Sequence, residues 1–189
     1  MINHTRKLLC LHIEKCGGTS LDKTMREHCN FPLKPYSRIH WRLKNHVKKW
    51  RPHRRDILND YLKFCVVRNP WDRLLSQYFY FQGVDDKNEF REWVFGKSYL
   101  LNRYPYWPMV EHTQFGNKLN CMDYVIKLEN FQEDFDILCD KIGISRVALP
   151  HKNKTNHSKY QDYYDTESIK LIEELYSDDI ETFGYKFGE

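Results

Sequence analysis

The sequence predicts an α/β fold with a central parallel sheet flanked by helices. Three short, mostly apolar runs have the length and composition of buried strands: Lys7–Ile13, Lys63–Val67 and Tyr124–Leu128. Helix signals follow each of these runs, and no Asn-Gly turn suggests a hairpin between them. Strands that alternate with helices are typical of parallel sheets. No linker-like stretch interrupts the pattern, so we expect residues 1–189 to form a single domain.

The first strand ends in the glycine-containing loop Glu14–Ser20, and a helix to about Cys29 follows it. Either Thr19 or Ser20 is suited to cap that helix, because a hydroxyl can accept a hydrogen bond from a free N–H of the first turn. The basic stretch 34–55 is expected to be helical in parts, since prolines interrupt it.

The second strand leads directly into a well-marked helix. Asn69 is a favourable N-cap, and Pro70 suits the first helical position. Apolar residues then recur at helical spacing: Trp71, Leu74, Leu75, Tyr78 and Phe79. The aromatic-rich stretch 87–118 is also expected to be helical.

The sequence of the last third of the chain predicts one strand and two more helices. Asn130 and Glu133 have the spacing of an N-cap and its N3 partner, opening a helix to about Ile142. A polar, basic loop over 149–160 comes next. A final helix is marked by the apolar residues Ile169, Ile172, Leu175 and Tyr176, and a short tail over 183–187 follows it.

Composition excludes several classes of protein. With 41% hydrophobic residues, the chain can form a core, so it is not disordered. No apolar run approaches the roughly 18 residues of a membrane span. The apolar stretch Leu8–Ile13 is too short for a signal peptide, so we expect a cytoplasmic protein. The six cysteines lack metal-ligand spacing and are expected to be reduced, with no metal bound.

Charge is nearly balanced overall, with 30 Lys and Arg against 26 Asp and Glu, but it is unevenly distributed. Residues 34–55 hold Lys, Arg and three histidines without any acidic residue. A local basic patch on a nearly neutral protein favours an anionic ligand over a nucleic-acid coat. The alternative is a nucleic-acid-binding module in which Tyr36, Trp41 and Trp50 would stack on bases.

Two anion sites are predicted at the ends of strands. A strand, a glycine loop and a helix N-terminus direct backbone N–H groups at an anion, which Lys15 can also reach. Lys15 precedes Gly17 and Gly18, unlike the lysine of a Walker loop, which argues against a magnesium-dependent nucleotidase; an atypical kinase is a further alternative. At the second strand end, Arg68 and Ser76 can hold another anion, although Arg68 is equally suited to pair with an acid such as Asp72. Two such sites suit a nucleotide with phosphates at both ends.

These segments resemble a known family. LHIEKCGGTSL resembles the 5′-phosphosulfate loop of carbohydrate sulfotransferases, usually K-T-G-G-T-S, and FCVVRNPWDRLLSQY resembles their 3′-phosphate motif, including its Arg and Ser. The segments YVIKLENFQEDFDILCDKIGI, LPHKNKTNHSKYQDYY and DIETFGYKF are similar to the rest of the same family. This group, sulfotransferase family 2, contains the Golgi heparan and chondroitin O-sulfotransferases and bacterial relatives. The resemblance implies a P-loop-like, three-layer fold and the sulfuryl donor 3′-phosphoadenosine 5′-phosphosulfate (PAPS).

The resemblance also implies roles for individual residues. Lys15 would stabilise charge on the leaving phosphate, and the backbone of Cys16, Gly17, Gly18, Thr19 and Ser20 would hold the 5′-phosphate. Arg68 and Ser76 would hold the 3′-phosphate. The loop containing His151, Asn153, Lys154 and His157 would close over the nucleotide. No metal is needed, because Lys15 and the helix N-terminus supply positive charge.

The base is expected to be a His or a Glu near the acceptor hydroxyl. In the resembled family a His lies between the two phosphate motifs, where this chain has His40, His46 and His53. The spacing before the second motif favours His46 as the base, with His40 second. The acceptor would be a carbohydrate or another hydroxyl compound, held by the basic residues Arg42, Lys44, Lys48 and Lys49 and stacked on Trp41 or Trp50. The sequence does not indicate an oligomeric state.

The loop departs from the family pattern at two positions, since Glu14 and Cys16 replace the common Pro and Thr. Cys16 lies between Lys15 and a helix N-terminus, which favours a thiolate. From the sequence we therefore expect Cys16 to be accessible and reactive.

Overall fold

The computed structural model describes residues 1–29, 42–49, 54–101, 103, 105–150 and 158–189. The chain forms two compact units. The first combines Met1–Val67 with Glu111–Lys152, and the second combines Arg68–Val110 with Asn153–Glu189. Each unit is therefore built from two separate stretches of sequence.

The first unit contains a four-stranded sheet in the order β1-β2-β3-β4. Its strands are β1 (Ile2–Asn3), β2 (Leu8–Leu11), β3 (Leu62–Val67) and β4 (Tyr124–Lys127). β2, β3 and β4 run parallel, whereas β1 pairs antiparallel with β2. The predicted α/β class is confirmed, since helices flank a mostly parallel sheet and the three predicted strands are present.

The register brings the carboxyl ends of the parallel strands to one edge. Leu11 pairs with Cys65, and Val67 pairs with Lys127. β2 is buried along its whole length, which explains its nearly uniform apolar sequence. Segments that follow the strands therefore start from the same edge of the sheet, where ligands bind in open α/β folds.

The sequence did not predict β1. It is joined to β2 by a turn that contains no glycine, in which Lys7 takes the left-handed conformation with a φ of 51°. The Arg6 N–H donates to the Asn3 side chain at 3.0 Å and supports the turn.

The helices are, in chain order, α1 (Gly18–Cys29), α2 (Leu43–Lys49), α3 (Arg54–Asn59), α4 (Pro70–Gln82), α5 (Lys87–Lys97), α6 (Val110–Thr113), α7 (Phe131–Ile142), α8 (Thr166–Leu175) and α9 (Ser177–Phe183). Short 3-10 turns cover Ser98–Leu100, Leu128–Asn130 and Tyr160–Tyr163. Within the described ranges, none of the helices combines the length and apolar character that a membrane span requires.

The caps of two predicted helices differ from expectation. α1 already begins at Gly18, so Thr19 and Ser20 lie in its first turn rather than at the cap position. α7 begins after Asn130, but the Asn130 side chain makes no capping hydrogen bond. Instead, the Asp134 carboxylate accepts the Lys127 N–H at 2.7 Å and ties α7 to the end of β4.

The first unit also buries an ammonium group at the start of β3. Lys63 is 4% exposed, and its Nζ donates to the carbonyls of Leu58 and Tyr61 at 3.1 and 2.9 Å. The Asp123 carboxylate lies 2.6 Å from the same Nζ and supplies the opposite charge that a buried ammonium needs. These contacts connect the end of α3, β3 and the segment before β4.

The second unit has an aromatic core around α4. The predicted cap is confirmed, because the Asn69 side chain accepts the Trp71 N–H at 3.1 Å. The predicted apolar face is also confirmed, with Phe79 partly buried and its other members fully buried. Its buried partners from other elements are Phe90, Trp93, Val94, Leu101, Tyr106, Tyr160, Tyr163, Ile172 and Tyr176.

Two segments of this unit fold differently from the prediction. The stretch 87–118 is not one helix, since only α5 and the short α6 are helical within it. The predicted tail is preceded by α9, which the sequence analysis missed. Asp179 of α9 is fully buried, and its carboxylate accepts the N–H groups of Met109 and Val110 at 2.7 and 2.8 Å.

Candidate functional site

The donor loop is defined here as residues 14–17, the turn that joins the end of β2 to the first turn of α1. It lies at the edge where β2, β3 and β4 all end. Lys15 has a φ of 61°, a left-handed conformation that side chains disfavour. Such strain persists only where surrounding structure fixes it, and it concentrates at functional sites.

Gly17 of the donor loop and Gly18, the first residue of α1, are both required by their surroundings. Gly17 has a φ of 73°, and a Cβ there would lie 2.6 Å from Cδ1 of Leu128. A Cβ at Gly18 would overlap the imidazole ring of His12. Packing therefore requires a bare backbone at both positions, and conformation requires it at Gly17 as well.

The first turn of α1 offers N–H groups that have no acceptor inside the helix. Gly18 and Thr19 belong to that turn, and Thr19 is exposed. The Ser20 N–H already donates to the Gly17 carbonyl at 3.1 Å, and Ser20 is buried. An anion at this helix end would therefore meet the N–H groups near Gly18 and Thr19 more readily than that of Ser20.

Cys16 does not have the accessibility that the sequence suggested. Its side chain is fully buried, and its thiol donates to the Glu14 carbonyl at 3.4 Å. The expectation of an exposed, reactive thiol is wrong, because the turn places this side chain inside the first unit. Burial likewise raises the pKa of the Cys65 thiol well above its ordinary value, with a further contribution from the thiols of Cys10 and Cys16.

Glu14 and His112 form a buried pair beside the donor loop. Nε2 of His112 lies 3.2 Å from Oε2 of Glu14, and the two side chains are 0% and 8% exposed. The preceding residue of α6, Glu111, pairs with Arg42 at 2.8 Å, just before α2. Neighbouring residues of α6 thus contact the donor loop and the start of α2.

The second predicted anion position lies in the second unit. Asp72 and Ser76 are four residues apart in α4 and so share one face, and Arg68 lies just before the Asn69 cap of that helix. Nε of Arg68 donates to the Asp72 carboxylate at 2.8 Å, which is the acid pairing that the sequence left open. A guanidinium has five N–H donors, so one arginine can in general contact an acid and a phosphate together. Ser76 is buried.

Several predicted site residues fall outside the described part of the chain. His40, Trp41, Trp50, His53, His151, Asn153, Lys154 and His157 belong to this group. The backbone of His46 lies in α2, but its side chain is also outside the description. Leu43 and Val47 of α2 are buried, so this helix is anchored in the core of the first unit.

A comparison with protein-family models identifies the family of the chain. The model described as the sulfotransferase family matches residues 1–186. The chain belongs to the sulfotransferase family. The match favours sulfotransfer over the nucleic-acid-binding module and the atypical kinase, and it confirms the resemblance found in the sequence.

Comparison with individual proteins adds less about this sulfotransferase. An uncharacterized protein of Archaeoglobus fulgidus is 32% identical over 107 residues, which cover 55% of this chain and 81% of that protein. No solved structure matches the chain.

Sequence reasoning missed two histidines of this sulfotransferase. His12 lies against Gly18, and its only local signal is its position between an apolar strand and the glycine loop. His112 contacts Glu14 from a distant part of the sequence, so no local pattern could have indicated it.

Proposed function

We propose that this sulfotransferase transfers the sulfuryl group of PAPS to a hydroxyl of a carbohydrate or glycoconjugate. The observation that carries the proposal is the donor loop, where Lys15 is held in a left-handed conformation before two glycines at a helix N-terminus. Backbone of this shape presents N–H groups to a phosphate. PAPS, when bound, supplies an activated sulfuryl group on its 5′-phosphate.

Lys15 is assigned the role of stabilising the leaving phosphate. Sulfuryl transfer resembles phosphoryl transfer, in which catalysis depends on positioning and on stabilisation of charge. When the bond between sulfur and the bridging oxygen breaks, negative charge develops on the 5′-phosphate. An ammonium group and the N–H groups of Cys16, Gly17, Gly18 and Thr19 are suited to that charge, with Ser20 completing the motif.

Arg68, Ser76 and Lys154 are assigned to the 3′-phosphate and the closing loop. A guanidinium just before a helix and a hydroxyl within that helix can hold a phosphate through charge-assisted hydrogen bonds. The ion pair with Asp72 fixes the orientation of the Arg68 guanidinium. Lys154 is assigned by the family resemblance alone.

His46 is assigned as the base that removes the proton of the acceptor hydroxyl. The acceptor oxygen forms its bond to sulfur as the bond to the 5′-phosphate breaks, and His46 takes the released proton. His40 and His53 are the alternatives. Lys44 and Lys48, which are exposed on the same helix, favour an acceptor that carries negative charge.

The proposal is tested by incubating the protein with PAPS and a panel of polysaccharides, glycolipids and small hydroxyl compounds, followed by mass spectrometry. The expected result is the mass gain of one sulfuryl group on one class of acceptor and the appearance of adenosine 3′,5′-bisphosphate. Lys15→Met is the matched control, because it removes the charge and keeps the length of the side chain. Product formation that is equal in this variant would contradict the role of the donor loop.

A further inference from the structure

The buried pair of Glu14 and His112 belongs to neither the proposed phosphate sites nor the proposed acceptor site. Both residues belong to the first unit, and both side chains are almost completely shielded from water. A polar side chain in such a place is stable only where it has polar neighbours. The His112 ring is one such neighbour of Glu14, with 3.2 Å between Nε2 and Oε2.

Glu14 lies at the point where the chain leaves the strand and enters the strained turn. Its carbonyl accepts the Cys16 thiol at 3.4 Å, and the next residue, Lys15, has a φ of 61°. The main chain of Glu14 therefore contacts Cys16 of the donor loop, and its side chain contacts His112 of α6. Because Glu14 directly precedes Lys15, the position of its backbone determines the position of the left-handed residue.

We propose that His112 is a positioning residue of the donor loop, acting through the carboxylate of Glu14. The pair holds the backbone that precedes Lys15, so the N–H groups that follow Lys15 keep the orientation that a 5′-phosphate requires. Because the loop is already ordered before a ligand binds, binding costs less conformational entropy and the affinity is higher. This inference rests on the proposed function, in which the donor loop binds the 5′-phosphate of the nucleotide.

The adjacent residue of α6 provides a matched control. Glu111 contacts Arg42 at 2.8 Å, so it makes an ion pair of its own from the same helix. A variant of Glu111 therefore removes a side-chain contact of α6 other than the one to Glu14. An effect that is specific to the contact between His112 and Glu14 must be absent from the Glu111 variant.

The test compares Glu14→Gln, His112→Gln and Glu111→Gln by calorimetric titration with two probes. Adenosine 3′,5′-bisphosphate carries the phosphate assigned to the donor loop, whereas adenosine 3′-monophosphate lacks it. We expect Glu14→Gln and His112→Gln each to weaken binding of the bisphosphate about tenfold, while binding of the 3′-monophosphate changes less than twofold. The double variant should be no weaker than either single variant, because both remove the same contact. Glu111→Gln should bind both probes as the unaltered protein does.

Each outcome has a separate meaning. Equal weakening of both probes, or the same loss in Glu111→Gln, would assign the pair a purely structural role and overturn the inference. Unaltered protein that binds both probes equally would overturn the proposed function and this inference with it. Melting temperatures without nucleotide identify variants that fold, and His112→Gln gives the same comparison if Glu14→Gln does not fold.

Discussion

Leu128 occupies the space that a side chain at Gly17 would need, with its Cδ1 2.6 Å from the Cβ position of Gly17. Gly17→Ala should therefore lower the free energy of unfolding by about 2–4 kcal/mol, from the positive φ and the overlap together. Gly83→Ala is the control, because Gly83 has a similar φ of 72° and open space around its Cβ position. For Gly83→Ala, urea unfolding should show a free energy of unfolding that is only about 1 kcal/mol lower than that of the unaltered protein. Equal losses would mean that Leu128 moves away freely.

Lys15 has both a strained backbone and the proposed catalytic charge. A glycine variant removes both, so it should raise stability and lower turnover. Lys15→Gly should raise the stability by about 0.5–1 kcal/mol, since glycine tolerates the φ of 61° but loses more chain entropy on folding. Turnover should fall about 10²–10³-fold, because the stabilising charge is lost. Lys7→Gly, at a φ of 51°, should gain similar stability and keep full turnover. A Lys15→Gly variant that is less stable and fully active would contradict both assignments.

Arg68 should determine the preference for a 3′-phosphate. Arg68→Ala should bind adenosine 3′,5′-bisphosphate about 10–100-fold more weakly, because charge-assisted hydrogen bonds are lost. Binding of adenosine 5′-monophosphate should not change, so the variant should lose most of its discrimination between the two nucleotides. Arg91→Ala, which removes an exposed arginine paired with Asp165 and Glu167, should bind as the unaltered protein does. If Arg68→Ala keeps its discrimination, the 3′-phosphate site lies elsewhere.

His46 should affect chemistry and leave donor binding intact. His46→Ala should reduce turnover roughly 10²–10⁴-fold, as expected for removal of a general base, with an unchanged affinity for adenosine 3′,5′-bisphosphate. His28→Ala, on the exposed end of α1, serves as a control for loss of a basic surface residue. His40→Ala and His53→Ala are measured in parallel. A large loss in one of these two and none in His46→Ala would reassign the base.

Asp179 should make stability depend on pH. Burial raises its pKa to about 6, although its hydrogen bonds from Met109 and Val110 favour the ionised form. Between about pH 4 and 6 the folded chain keeps this proton while the unfolded chain loses it, so this group lowers stability as pH rises through that window. Its contribution changes by at most about 3 kcal/mol and is constant above pH 6. Urea unfolding at several pH values should show this slope in the unaltered protein and not in Asp179→Asn.

The fold was predictable where local sequence determines structure. β2 and β3 are buried on both faces, so their apolar composition identifies them, and the Asn69 cap with Pro70 identifies the start of α4. β1 was not predictable. It has only the residues Ile2–Asn3, and its turn uses a lysine where sequence rules expect a glycine.

The motifs of the candidate site predicted the family but not the packing of the site. The glycines and Lys15 stand in a recognisable order, and the family match confirms the resemblance drawn from such motifs, while the roles of the individual residues stay predictions. Whether a side chain in a tight turn points inward cannot be read from its neighbours in sequence, which is why the burial of Cys16 was missed. The pairing of Glu14 with His112 depends on tertiary structure, since α6 is distant in sequence from the donor loop.

The burial of Cys16 makes this residue an internal reporter of motion. Its thiol is shielded in the folded loop, so a reagent can reach it only when the loop opens. If opening and closing are fast, the rate of modification is proportional to the fraction of time that the loop is open. A ligand that binds the closed loop must slow the modification by reducing that fraction. Cys16 thus allows the equilibrium of a single turn to be followed by chemical labelling, without a spectroscopic probe being introduced.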